Sequence, residues 1–170
     1  FTEGTGTTET TPDSAAAADA RVAEVMARRR RGDAAREAAG RADWSSWPVY
    51  DAAADGLRNY WYPVEWSAEV GRHPVAVRVC AEDLVLQRDE HGTVHALHDR
   101  CPHRGVPLSL GKEEFPGTVT CAYHAWTFDL ETGELVAVIT DGPDSPMCGK
   151  ATVRTYPTEE AIGLIWVFIG

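Results

Sequence analysis

The stretch from Asp99 to Trp126 constrains this chain more than any other. It opens Asp99-Arg-Cys101-Pro-His103-Arg-Gly105 and closes Cys121-Ala-Tyr-His124-Ala-Trp126, with seventeen residues between His103 and Cys121. Two thiols and two imidazoles therefore arrive as two short Cys/His pairs, each carried on its own turn. Such a set is expected to hold metal. Zinc takes mixed Cys and His ligands in a closed tetrahedral site. A cluster of two irons and two sulfides can use the same four side chains, with the cysteines on one iron and the histidines on the other.

The rest of the chain narrows the setting. At 170 residues it is long enough for one good core but short for two full domains. A formal charge of −10 and the lack of a basic face speak against nucleic acid. The longest apolar run, Leu164 to Ile169, is far short of a membrane span. No signal-peptide pattern is present, although the first residue is Phe1, which suggests a trimmed or excerpted start. With Cys101 and Cys121 assigned to the metal, Cys80 and Cys148 are too few for a disulfide framework, and a reducing cytoplasm is expected.

Residues 1–14 are rich in Thr, Gly and Glu and are expected to be disordered. From Ala15 to Gly40 the composition turns to Ala, Arg and Glu, predicting a helix with Asp13 and Ser14 as caps and a thin apolar face of Val22, Val25 and Met26. Arg28 to Arg31 read as a solvated helix end, with Gly32 where the helix would stop. Trp44, Trp47 and Tyr50 mark a return to burial, and Asp51 to Gly56 suggest a helical turn or two capped by glycine. These readings make 15–56 a helical extension and 57–170 the compact domain.

Leu57 to Val64 reads as an aromatic anchor without regular structure, with Trp61 and Trp66 in the core. Beyond it the apolar period is two. Val75, Val77 and Val79 alternate, followed by Leu84 and Leu86 and then by Val94 and Leu97 across an Asp89 to Gly92 turn. Further short strands are expected at Thr118 to Cys121, Thr127 to Phe128, Leu135 to Ile139, Thr152 to Tyr156 and Gly163 to Ile169, with a surface loop from Thr140 to Gly149. The last strand is apolar at every position and so is expected to be covered on both faces. The fold class is mainly β, an antiparallel sandwich or barrel with two ligand-bearing loops. His91, His95 and His98 read as hairpin histidines, the first two on one side and the third on the other.

The spacing Cys-x-His, seventeen residues, Cys-x-x-His, with Arg104-Gly105 after the first pair and Ala125-Trp126 after the second, resembles the Rieske family. The resemblance implies a [2Fe-2S] cluster on Cys101, His103, Cys121 and His124, with Arg104, Gly105, Tyr123 and Trp126 around it. Leu57 to Val64, Asp99 to Ser109, Cys121 to Thr127 and Thr155 to Gly163 together look like the N-terminal domain of a Rieske non-haem iron ring-hydroxylating oxygenase, nearest the carbazole dioxygenase and oxoquinoline monooxygenase group. Residues 1–44 match nothing of that kind.

In the respiratory-chain type two further cysteines bridge the ligand loops. Val106 and Tyr123 stand in their places here. That type also sets a serine and a tyrosine hydroxyl against the cluster, where this chain has Trp126 and Phe128. Fewer donors to sulfur leave the reduced charge less stabilised. The potential is therefore expected near the low end of the roughly −150 to +300 mV spanned by His-ligated clusters.

The resemblance further implies a ferredoxin or reductase as electron donor. It also implies a mononuclear Fe(II) in a larger catalytic domain, and a homotrimer in which His124 passes the electron to the neighbouring subunit. No histidine follows His124, so that iron site is absent from this chain, which stops where such a domain would begin and is expected to be catalytically incomplete alone. A free-standing Rieske ferredoxin and a zinc-stabilised interaction module are the alternatives.

Overall fold

The computed structural model describes residues 20, 22–28, 30, 31, 34, 48, 53, 55–142 and 144–170. The chain divides into two units, Phe1–Arg41 and Ala42–Gly170. In the first, residues 22–28 are helical, with Val22, Val25 and Met26 half-buried and Arg28, Arg30 and Arg31 exposed, as the composition predicted. The expected disordered tail and the residues Trp44, Trp47 and Tyr50 lie outside the described residues.

Among its described residues the second unit has ten strands in three antiparallel sheets. One sheet has the order β1 (Tyr60–Trp66), β10 (Leu164–Ile169), β9 (Thr158–Ala161). Another runs β2 (Val75–Val79), β3 (Glu82–Arg88), β4 (Val94–His98), β8 (Thr155–Tyr156). The third is β5 (Thr118–Thr120), β6 (Trp126–Asp129), β7 (Leu135–Val138). The period-two runs read from the sequence form β2, β3 and β4, and the Asp89 to Gly92 turn joins the last two.

A shared core explains how the first two sheets stack. Leu84, Leu86, Val94 and Ala96 from β3 and β4 meet Ile165, Val167 and Ile169 from β10, all of them buried. Alternation then forces Val85, Gln87 and Leu97 onto the opposite face of the four-stranded sheet, where they too are buried. Gln87 Nε2 donates to the Thr118 carbonyl at 3.0 Å, which ties that face to the sheet carrying the second ligand pair.

Three expectations need correction. Leu57 to Val64 is not irregular throughout, because Tyr60–Trp66 forms β1, paired along β10. Trp61 and Trp66 are not core residues, being 40% and 62% exposed. Strand alternation sends Tyr62 and Val64 inward, leaving Trp61 to pack its ring against Phe168 at 5.6 Å on the outer side. Finally, β10 is not covered on both faces: Ile165, Val167 and Ile169 are fully buried, while Leu164, Trp166 and Phe168 on the other face remain half-buried. Strand β9 was not foreseen, since Thr158-Glu-Glu-Ala161 has too few apolar residues to show a period.

Candidate metal centre

Each Cys/His pair sits on a loop that springs from the end of a strand. The first follows β4, and the second is the turn of the β5–β6 hairpin. The two loops share one hydrogen-bond pattern. In the first, Cys101 N–H donates to the Val106 carbonyl at 2.8 Å and Gly105 N–H to the Cys101 carbonyl at 2.8 Å. In the second, Cys121 N–H donates to the Trp126 carbonyl at 2.8 Å and Ala125 N–H to the Cys121 carbonyl at 3.1 Å. Closing the loop requires a left-handed residue at its fourth step past the cysteine. Gly105 takes φ 72° there without strain, and Ala125 takes φ 52°.

This folding turns backbone donors onto the thiols. The N–H groups of His103 and Arg104 face the Cys101 sulfur, and those of Tyr123 and His124 face Cys121. The hydrogen bond between the two sulfurs drives their titration apart. It raises the Cys101 thiol, with burial acting in the same sense. It lowers Cys121 to about 7, against the effect of burial. Both cysteines are buried, at 2% and 3% exposure. Backbone N–H donors of this kind favour the thiolate that a metal binds.

The imidazoles pair in the same way. The His103 and His124 rings lie 4.8 Å apart, Trp126 stacks on His103, and the Tyr123 ring lies 4.0 Å from His124. Burial, then the neighbouring His124 and the Arg104 charge, hold His103 below its ordinary value and so favour the neutral ring that binds metal. His124 Nδ1 is buried and has no hydrogen-bond partner. An orphaned buried nitrogen is costly, and a metal on that atom removes the cost. Among the described residues no three His, Cys, Asp or Glu side chains converge as they would on a single ion. The donors form a sulfur pair and a nitrogen pair, the division that suits two irons.

Other residues brace the loops. The buried Asp99 carboxylate accepts from Ser109 N–H and from its hydroxyl, both at 2.7 Å. Ile139 N–H donates to the Ala125 carbonyl at 3.2 Å, and Thr140 Oγ1 to the His124 carbonyl at 3.4 Å. Sequence reading did not single out Ser109, Ile139 or Thr140, because their parts depend on chain crossings with no sequence signature. Arg104 is exposed, and its contribution to the first loop is its backbone N–H.

His91, His95 and His98 sit apart from this centre or only beside it. His91 is exposed in the turn, His95 Nε2 pairs with Asp89 Oδ2 at 2.9 Å, and His98 lines the groove beside the first loop. No helix among the described residues is long and apolar enough to cross a membrane.

Comparison with known proteins agrees with this geometry. Residues 60–157 match the Rieske [2Fe-2S] domain. The terminal oxygenase component of carbazole 1,9a-dioxygenase from a Sphingomonas species is 42% identical over 126 residues, covering 73% of this chain and 33% of that protein. Chlorophyllide a oxygenase of Chlamydomonas reinhardtii is 40% identical over 117 residues, covering 68% and 17%. Among solved structures, the carbazole 1,9a-dioxygenase terminal oxygenase of Novosphingobium sp. KA1 superposes with a TM-score of 0.68 at 42% identity, over 75% of this chain and 34% of that one. A reduced complex between oxygenase and ferredoxin of carbazole 1,9a-dioxygenase gives 0.67 at 38% identity, over 75% and 33%. The chain spans about a third of the length of the carbazole relatives it matches. Its cofactor is the [2Fe-2S] cluster, and the chain belongs to the Rieske [2Fe-2S] domain family.

Proposed function

We propose that this chain is the electron-carrying part of a terminal oxygenase, with Cys101 and Cys121 on one iron of the cluster and His103 and His124 on the other. The observation that carries the assignment is the matched pair of loops, which brings the two sulfurs together and the two imidazoles together and leaves His124 Nδ1 buried without a partner. The cluster supplies reversible one-electron chemistry. The protein shields the sulfurs, aims backbone N–H groups at them and favours the neutral form of His103.

A ferredoxin or reductase would deliver the electron, and His124 would pass it on toward a mononuclear iron held by a domain outside this chain. Such an iron would supply the dioxygen chemistry by which an aromatic or related substrate is hydroxylated. The relatives support this reading, since they are oxygenases, and a similar solved structure holds a ferredoxin. The electron-carrying domain is assigned to residues 57–170 and the preceding extension to 15–56, in a cytoplasmic homotrimer when the catalytic domain is present.

Electron paramagnetic resonance before and after dithionite, with iron and sulfide analysis, tests the reading. A rhombic signal that appears only on reduction, with iron and sulfide in equal amounts, is expected. A colourless, silent sample that contains zinc after anaerobic purification would overturn it.

A further inference from the structure

The groove beside the first ligand loop is lined by His98, Arg100, Cys101, His103 and Arg104 from that loop and its approach, and by Arg154 from the segment leading into β8. Arg154 thus comes to the cluster side from a distant part of the chain. Its backbone carbonyl accepts from His98 N–H at 2.8 Å, which anchors the segment where the first loop begins.

The guanidinium of Arg154 is fixed as well. It lies 4.6 Å over the Tyr156 ring, Nη2 donates to the Gly170 carbonyl at 3.0 Å, and Nη1 is 3.5 Å from Glu82 Oε2. Glu82 also accepts from the Tyr156 hydroxyl and from Arg58 Nη1. One carboxylate therefore serves two guanidiniums, and the group keeps one net positive charge. Arg100 and Arg104 are exposed on the loop itself, and the Arg154 side chain is also 53% exposed but is held by these contacts.

We propose that Arg154, which lines the same groove wall as Cys101 and His103, sets the redox potential of the cluster through the charge of its guanidinium, held by Tyr156, Gly170 and Glu82. The inference rests on the four-ligand assignment above. One-electron reduction adds one negative charge to the cluster. A cation on that wall stabilises the reduced form and raises the midpoint, and the Glu82 carboxylate paired with it acts in the opposite sense.

The test is a potentiometric titration, followed by electron paramagnetic resonance, of the full chain loaded with iron and sulfide. Arg154→Gln is expected to lower the midpoint, Glu82→Gln to raise it, and Arg154→Lys to stay near the unmodified chain. A merely structural part for these residues would not give shifts of opposite sign. The proposal is overturned if the two glutamine variants shift the midpoint in the same direction, or if neither shifts it. Glu82→Gln and Arg154→Lys keep the question answerable if Arg154→Gln does not fold. Failure of the ligand assignment is distinct, because the unmodified chain would then show no signal on reduction.

Discussion

The Trp126 indole lies flat on the His103 imidazole, with ring centroids 4.7 Å apart and planes 6° apart. The tryptophan closes the second ligand loop and the histidine belongs to the first, so the stack clamps one loop to the other. An aromatic pair of this kind is worth about 0.5–1.5 kcal/mol beyond its buried area. Trp126→Ala is therefore expected to release the cluster roughly 2- to 10-fold faster to an iron chelator, followed by loss of visible absorbance. Trp126→Phe keeps a ring in place and should lie between the two. Equal release rates for all three chains would remove the clamp from the account.

Asp99 and Ser109 form a second fastening, at the root of the first loop. The carboxylate is fully buried and takes two donors from one residue, which pins the loop to the short 3-10 turn Leu108–Leu110. Asp99→Ala leaves those donors without an acceptor. A cost of about 2–4 kcal/mol is expected in urea unfolding of the apo chain, whereas Ser109→Ala, which loses only the hydroxyl bond, should cost about 1–2 kcal/mol. The double variant should lose less than the sum, because both changes strike one interaction. Strict additivity would show that Ser109 does not act through Asp99.

The two ligand loops also differ in one stored strain. Ala125 holds φ 52° where the matching residue of the first loop is Gly105. An L-residue in that region costs about 1–2 kcal/mol, while glycine gives back about 0.4–1 kcal/mol through its freer unfolded chain. Ala125→Gly should therefore be neutral or stabilise by up to roughly 1 kcal/mol, and Ala125→Val should destabilise clearly, because a β-branched residue fits this conformation poorly. Thermal unfolding of the apo chain checks both. A glycine variant that unfolds well below the unmodified chain would mean that the Ala125 methyl packs usefully.

The pattern of two Cys/His pairs was legible in the sequence because each pair lies within one turn, whereas the meeting of the two loops is supplied by the fold. The strands that align by period two were legible for the same local reason. Trp61 and Trp66 were misplaced because hydrophobicity says that a ring is worth burying but not which side of an edge strand it occupies. Trp126 shows another limit. Its lack of a hydroxyl could be read from the sequence, but its stack on His103 needed the two loops to meet. Arg154 had no local signature at all, since its neighbours Glu82, Tyr156 and His98 are assembled by the pairing of β3, β4 and β8.

Glu82 and Asp89 contribute to the response to acid. Burial pushes Glu82 upward, but the Tyr156 and Arg58 hydrogen bonds and the Arg58 and Arg154 charges outweigh it and hold the group below its ordinary value. Asp89 is likewise pushed up by burial and brought lower overall by His95 and by the Thr93 and His91 N–H groups, the latter at 2.8 and 2.9 Å. A carboxylate that is more acidic in the folded chain than in the unfolded one binds fewer protons when folded. Its stabilising contribution is therefore fully present above the unfolded values of about 4 and is lost as the pH falls through the folded values. Apo-chain stability should be level from neutral pH down to about pH 5 on account of these groups and should then fall. Glu82→Gln and Asp89→Asn should each lower stability at neutral pH and flatten the acid fall. Urea unfolding midpoints measured across that range decide the matter: an acid limb of unchanged steepness in both variants would assign the transition to other groups.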